Sequence, residues 1–405
     1  MKFSFLIPSK NRLELLKFTI DSILRQGYGD FEIIISDNAS EQDYSAFVNQ
    51  IGDKRIVHRR VSTPISVTEN WNRALAMASG DYILMLGDDD ALAPWFLARV
   101  SKLINTTQQP DIIYFAAYHY CYPNVMPGLP EGYLADVRNS VFFKYRESPF
   151  SLPVEQVQRV ATAACDFRYM FGFNSQHFLF RKGFLNDIKA IGGIFQSPYP
   201  DTFAAVVSFL KSKSVMVMPE PMVIIGISPK SFGYYYFNYL QDEGYEFLDN
   251  AKVSTEVLDS LKSVVLPGDR NNTNWLVAVE EARRVLAPDL VLNVNFNRYR
   301  ILQIIAFLRS IYLEDVRQRG EIKELTSMLA QSERLIFGAL RAVIEVADRF
   351  GGRIFVIGIF ELVRRLLKQF WPARVTMIDI GKHSNIGDAF NWLARKSTKD
   401  VRGEL

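Results

Sequence analysis

The stretch NWNRALAMASGDYILMLGDDDALAP (Asn70–Pro94) decides how this chain is read. Trp71, Leu75 and Ala78 recur at helical spacing, Gly80 breaks the pattern, and Tyr82–Leu86 is a continuous apolar run. Such a run is too short for a helix and, lacking alternation, reads as a strand buried on both faces. It then meets Gly87 and three consecutive aspartates, Asp88, Asp89 and Asp90. Adjacent carboxylates repel, so they need either full solvation or a cation. One reading is a solvated acidic turn before a helix opening at Pro94, a favourable first-turn residue. The other is a site for a hard divalent cation, Mn²⁺ or Mg²⁺, which takes carboxylate oxygens and keeps positions open for phosphate.

Outward from this stretch, short apolar runs at Phe3–Pro8, Phe31–Ser36, Ile56–Arg60 and Ile112–Ala117 repeat the strand pattern. Between them, Leu13, Leu16, Ile20, Ile23 and Leu24 recur at helical spacing. Strands alternating with helices predict an α/β fold with a doubly wound, mostly parallel sheet. Ligands of such sheets bind beyond the carboxyl ends of the strands. Three polar clusters fall there: Pro8-Ser9-Lys10-Asn11-Arg12, Asp37-Asn38-Ala39-Ser40 and Asp88–Asp90. Residues 118–170 form an irregular aromatic segment that includes Tyr145. A helix is expected near 202–212, followed by strands at Val215–Met218 and Met222–Ile227, and the chain beyond about 245 reads as mainly helical. The predicted division is 1–240, split into a nucleotide-binding half (1–117) and an acceptor half (118–240), and a mainly helical region, 241–405.

Composition narrows the function. With 405 residues, 48% hydrophobic and 22% charged, the chain is long enough for more than one domain and is not disordered. A formal net charge of +3 gives no argument for nucleic acid. Two cysteines, Cys121 and Cys165, exclude a disulfide framework and a cysteine-based zinc cluster. The N-terminal run is too short for a signal-peptide core, and no stretch approaches the length of a membrane span, so a cytoplasmic enzyme is expected.

IPSKNR, IIISDNAS and NWNRALAMASGDYILMLGDDDAL together resemble the family 2 glycosyltransferases of the GT-A fold, in order, spacing and flanking residues over about 90 positions. The resemblance implies a metal-dependent, inverting transfer of a sugar from a nucleotide-diphosphate donor, expected to be a UDP-sugar, to a hydroxyl of a saccharide or lipid-linked saccharide. Bacterial cell-surface polysaccharide synthesis is the implied setting. Pro8 and Asn11 would border the base, Asp37 would hydrogen-bond it, and Asn72 or Arg73 would lie near the donor. Asp88 would hold the ribose and Asp89 the metal, with Asp90 as the alternative ligand. The family pattern has aspartate where this chain has Gly87, which leaves open a register pairing Asp88 with Asp90. Asp37 also suits an Asx turn.

The acceptor hydroxyl needs a base as it attacks the anomeric carbon. In the family an acidic residue opens the helix after the acceptor segment, which points to Asp201 in QSPYPDTFAAVVSFL; the same residue could simply cap a helix over Thr202–Leu210. His177, Arg181 and Lys182 are weighed as acceptor or phosphate contacts against a packed histidine and a solvated strand end. Tyr118–Tyr122 and Tyr234–Phe237 are weighed as sugar-stacking surfaces against ordinary core aromatics. His119 and Cys121 have no third ligand near in sequence.

In Gly351–Arg374 an apolar stripe (Val356, Ile359, Phe360, Val363, Leu366, Leu367, Phe370) faces Glu361, Arg364, Arg365 and Lys368, and ends in Phe370-Trp371. It suits a helix packed on its own domain or on a second copy, or one lying on the inner face of a membrane. Two rivals stand beside the transferase. A nucleotidyltransferase would carry a glycine-rich loop after the first strand, which Pro8–Asn11 lacks. A non-catalytic nucleotide-sugar-binding scaffold would explain the missing aspartate at Gly87.

Overall fold

The computed structural model describes residues 1–144, 146–238, 240, 255–314, 319–367 and 373–402; Tyr145, Lys368 and Phe370-Trp371 lie outside them. Two compact units emerge. The first is built on Met1–Val160 with segments from Phe171–Lys252 and Pro372–Leu405, the second on Ala161–Met170 and Val253–Trp371.

The first unit opens β1 (Phe3–Ser9), α1 (Leu13–Leu24), β2 (Phe31–Asp37), α2 (Tyr44–Ile51), β3 (Ile56–Arg60), α3 (Val67–Ala76) and β4 (Tyr82–Met85). β1 pairs in parallel with β2 and β4, and β2 with β3, so the four strands end at one edge. The near-continuous burial of β1, β2 and β4 is what helices on both faces of a parallel sheet require, while β3 at the edge buries only Ile56. Leu16, Ile20 and Ile23 of α1 meet Phe3, Phe5 and Ile7 in one cluster, as their spacing predicts. In α3 the buried face is instead Asn70 and Ala74, because Asn70 bonds Ser36 through both its amide atoms. A capping box, Ser66 with Glu69, opens that helix.

After β5 (Ala91–Leu92) and α4 (Phe96–Thr106), β6 (Ile112–Cys121) runs beyond its expected end at Ala117. β7 (Tyr133–Arg138), β8 (Phe150–Leu152) and α5 (Val154–Thr162) give order to the segment read as irregular. β9 (Phe178–Arg181) lies antiparallel between β4 and β6. A short helix, α6 (Lys182–Asp187), and then α7 (Pro200–Lys211) lead to β10 (Val215–Ile227), which pairs in parallel with β6. The two strands expected at 215–218 and 222–227 are one, bulged at Pro219–Pro221 where proline cannot continue the ladder.

The second unit is helical, with Thr255–Leu261, Arg270–Leu286, Phe296–Tyr312, Ile322–Met328 and Gln331–Leu367. Ile304, Phe307 and Leu308 pack with Phe337, Ile344, Val356 and Phe360. Gly352 (φ 63°, ψ −165°) divides the last helix into two arms, a conformation open to glycine. The region after 241 is thus mainly helical, but its final part departs from the predicted division. β11 (Arg374–Ile380) pairs antiparallel with β7, extending the sheet of the first unit. The helix Ile386–Arg402 then buries Ile386, Ala389, Phe390 and Leu393 against Leu15, Tyr120, Tyr122 and Ile224. The spacing of Ile386, Ala389, Phe390 and Leu393 signals a helix but not where it packs, because a long-range strand pairing leaves no local mark.

If this helix completes the core of the first unit, Phe390→Ala lowers its unfolding free energy by about 3–5 kcal/mol in denaturant melts. An unchanged midpoint would mean the helix is a dispensable tail.

Candidate functional site

The ends of β1, β2 and β4 and the loop after β10 bring the predicted polar clusters together. Asp88, Asp89 and Asp90 are all nearly inaccessible to water (3%, 5% and 1% exposed), which removes the solvated-turn reading. Burial in place of solvation demands donors, and each carboxylate takes them from different elements.

Asp88 accepts from the Ser9 hydroxyl at 2.5 Å and pairs with the Arg12 guanidinium at 3.1 Å. Burial pushes its pKa up, with Asp89 adding repulsion, against the pull of Arg12 and Ser9. Its backbone carbonyl accepts from Thr19 on α1. Asp89 accepts from the Ser228 hydroxyl at 2.7 Å through Oδ2. Asp90 is the most heavily bonded: Gly226 N–H donates to Oδ1 (2.9 Å), and Gly87 N–H (2.5 Å) and Gln176 Nε2 (2.8 Å) donate to Oδ2. Burial, and then the charge of Asp89, push the Asp90 carboxyl up to about 7.

Gly87 now has a physical reason. A Cβ there would lie 2.9 Å from Asp90 Oδ2 and 3.0 Å from Asp89 Oδ1, so the aspartate of the usual pattern has no room. Gly226 is tighter still, since a Cβ would come within 1.8 Å of the Asp89 carbonyl.

Asp37 is fully buried at the end of β2. Oδ1 accepts from Ser40 N–H at 2.9 Å, the expected Asx turn, and Oδ2 lies 3.3 Å from His58 Nε2. Asn11 adopts a left-handed conformation (φ 55°), accepts from Glu41 N–H and donates its own N–H to Ser40, locking the first two loops together. Pro8 lies beside Ser36 in the ladder, one residue before the end of β1. Asn72 and Arg73 are turned to the scaffold: Asn72 donates to the Phe195 carbonyl, and Arg73 to Ser36 Oγ and the Arg59 carbonyl.

Asp201 is half-buried in the first turn of α7, where Tyr199 is the N-cap residue, so the capping role expected of Asp201 is not the one it fills. It accepts from Ser175 N–H at 2.6 Å, and burial raises its pKa. The neighbouring Gln176 holds Asp90. One short turn, Ser175–His177, therefore ties Asp201 to Asp90 in the loop after β4. His177 anchors that turn from inside: it is fully buried, bonded to the Phe115 carbonyl, and burial lowers its pKa to about 4, so it is a packed neutral histidine.

Arg181 and Lys182 belong to the opposite edge. Arg181 pairs with Asp111, which precedes β6, and Lys182 Nζ meets the carbonyls of Ala78 and Ser79 before β4. Neither can serve a ligand at the aspartates. Tyr120 and Tyr122 pack in the core. Among the described residues no cluster of three or more His, Cys, Asp or Glu could hold a metal by itself. Sequence reasoning missed Tyr44, whose hydroxyl bonds Ser9 Oγ and Arg12 N–H, and Ser228 and Gln176, which meet the aspartates only through the fold.

Residues 4–166 match the family model described as glycosyl transferase family 2. A PGL/p-HBAD biosynthesis glycosyltransferase of Mycobacterium bovis is 35% identical over 117 residues, 28% of this chain and 45% of that protein. An abequosyltransferase of Salmonella typhimurium is 35% identical over 117 residues, 28% of this chain and 34% of that one. A UDP-Glc:alpha-D-GlcNAc-diphosphoundecaprenol beta-1,3-glucosyltransferase of Escherichia coli is 29% identical over 117 residues, 29% of this chain and 45% of that one. The chain thus spans less than half the length of these relatives. The structure of S. aureus TarS 1-349 with UDP-GlcNAc covers 90% of this chain and 92% of that one at 14% identity, with a TM-score of 0.46.

The bonding pattern separates the aspartates by experiment. Asp90→Ala leaves three donors without their carboxylate and lowers unfolding free energy by about 2–4 kcal/mol in thermal or denaturant melts. Asp89→Ala, which strands only one hydroxyl, stays within about 1 kcal/mol of the parent. Equal losses would overturn the division of labour.

Proposed function

We propose, from the match of residues 4–166 to glycosyl transferase family 2, that the protein moves a sugar from a UDP-sugar to a hydroxyl of a saccharide acceptor with inversion. The observation that carries this is the turn Ser175–His177, which holds Asp201 through one residue and Asp90, the chain neighbour of Asp89, through the next. A base and a diphosphate-facing acid are what an inverting displacement needs on either side of the anomeric carbon.

In this reading Pro8, Asn11 and Asp37 border and hydrogen-bond the base, and Asp88, oriented by Arg12 and Ser9, meets the ribose. Asn72 and Arg73 contribute by fixing the walls around β2. Mn²⁺ or Mg²⁺ would be held by Asp89, whose Oδ1 lies beside the Oδ2 that accepts from Ser228. Asp90 is a poor ligand, because both its oxygens already accept hydrogen bonds. When bound, the cation would neutralise charge on the leaving diphosphate. Asp201 takes the acceptor proton. Its raised pKa favours this, since a stronger base accepts a proton more readily.

A peripheral membrane contact is the second part of the proposal. No helix among the described residues is long and apolar enough to cross a membrane. Yet Leu335, Val346 and Phe350 on one arm of Gln331–Leu367, and Ile354, Leu362 and Leu366 on the other, stand exposed, Phe350 by 82% and Ile354 by 80%. The expected stripe is split: Val356 and Phe360 face inward, and Leu366 outward. Arg349, Arg353 and Arg365 are also exposed on these arms and suit anionic headgroups. A lipid-linked acceptor would bring the enzyme to such a surface, on the cytoplasmic side.

Three measurements test this. In thermal-shift assays, a UDP-sugar with Mn²⁺ raises the melting temperature, and Asp89→Ala removes the metal-dependent part; no nucleotide sugar shifting it in either condition would end the donor reading. Asp201→Asn keeps donor binding but lowers turnover by about a hundredfold or more, and the parent rate falls with decreasing pH as Asp201 protonates, at a pH above the ordinary aspartate range. Unchanged turnover would remove Asp201 from the mechanism. In flotation with vesicles containing anionic lipid, the protein rises with the lipid and Phe350→Asp releases it. A protein that stays in solution, or a dimer burying this face, would count against the membrane.

A further inference from the structure

The C-terminal strand and helix of the first unit build a second polar cavity, of about 370 Å³, lined by Asp379, Lys382, His383, Asp388, Trp392 and Arg395 among others. Asp379 at the end of β11 is 94% shielded (6% exposed), yet neither carboxylate oxygen accepts a hydrogen bond within the described residues. Lys382 Nζ (3.2 Å) and His383 Nε2 (3.3 Å) stand at ion-pair range only. His383, 8% exposed, likewise has no hydrogen-bond partner at Nε2. A buried carboxylate in this state is costly unless a ligand supplies donors.

The lining restricts what that ligand can be. An ionised carboxylate only accepts, so the ligand must bring O–H or N–H groups. Asp379 and Asp388 together repel an anion, while Lys382 and Arg395 repel a cation. A neutral molecule with several adjacent hydroxyls satisfies both conditions, and Trp392, edge-on to the His383 ring at 6.2 Å, offers it an apolar wall.

The cavity is also joined to the aspartates of β4. Tyr120 donates its hydroxyl to the His383 carbonyl at 2.8 Å and packs against Tyr122 at 4.8 Å between ring centroids. Tyr122 in turn shares its hydrophobic cluster with Ile386, and the charge of Asp89 adds to the burial that raises its pKa. β11 runs in the same direction as β6, being antiparallel to β7 as β6 is, so Asp379 faces the edge where β1, β2 and β4 end.

We propose that this cavity is a carbohydrate subsite that takes a pyranose unit of the acceptor remote from the reacting hydroxyl, with neighbouring hydroxyls donating to Asp379. Its place in the reaction rests on the transferase reading above; its affinity for sugar does not.

The test uses the full chain and saturation-transfer NMR with the methyl α- and β-pyranosides of glucose, galactose, mannose, rhamnose and N-acetylglucosamine. At least one gives a saturable signal, and Asp379→Asn weakens its apparent affinity about tenfold or more, as expected for loss of a charge-assisted acceptor. Lys382→Ala, on the exposed rim where folding is not at stake, weakens it about threefold or more. No signal from any glycoside, or affinities unchanged in both variants, would overturn the subsite. UDP-sugar hydrolysis by the same preparations reports separately on the transferase: sugar binding without donor turnover would keep the subsite and remove the enzyme reading.

Discussion

Three carboxylates buried side by side at the end of β4 are the constraint around which the first unit is arranged. Their mutual repulsion cannot be relieved by water, because burial excludes it, so relief comes from donors carried by other elements. Ser9 and Arg12 arrive from the end of β1, Ser228 and the Gly226 amide from β10, and Gln176 from the turn before β9. Each donor fixes an element to the same few ångströms. The arrangement also leaves the acids chemically unequal. Asp90 is committed to the backbone, Asp88 is paired with a guanidinium, and Asp89 alone among them has one oxygen without a bond described here.

That inequality supports the proposed reading of a site that handles diphosphate. A fully neutralised cluster would have no charge left to hold a cation, and an unneutralised one would not fold. Committing one carboxylate to structure and another to an ion pair leaves the third for chemistry. The turn Ser175–His177 extends the same economy to Asp201, since a buried neutral histidine anchors a segment whose two preceding residues reach two different acids. Position, more than intrinsic reactivity, distinguishes these aspartates.

Much of this was legible from local pattern. The apolar runs gave β1, β2 and β4 to within a residue, because a strand buried on both faces writes its length directly into hydrophobicity. The convergence of Asp37 with the aspartate run followed from parallel topology. What stayed hidden depended on long-range geometry. Gly87 looked like a missing ligand until the side chains of Asp89 and Asp90 were seen to fill the space its Cβ would need. Arg181 and Lys182 looked close to the site because they follow His177, but an antiparallel strand carries them to the far edge. Asn72 and Arg73 read as donor contacts because their helix runs into the motif, yet their polar atoms reach backward to β2, β3 and the Phe195 loop.

The return of the chain to the first unit bears on how the protein is made. Ile386 and Phe390 complete a hydrophobic cluster whose other members, Leu15, Tyr120 and Ile224, leave the ribosome much earlier. At ~5–20 residues per second, that face waits roughly ten to thirty seconds for its cover. During this interval the helical second unit, being continuous from 253 apart from ten residues, can settle first. The nascent sheet meanwhile exposes an apolar surface and the open edge of β7, the kind of intermediate that chaperones bind. Yield in the cell would then depend on synthesis of the helix Ile386–Arg402 as much as on any residue beside the three aspartates.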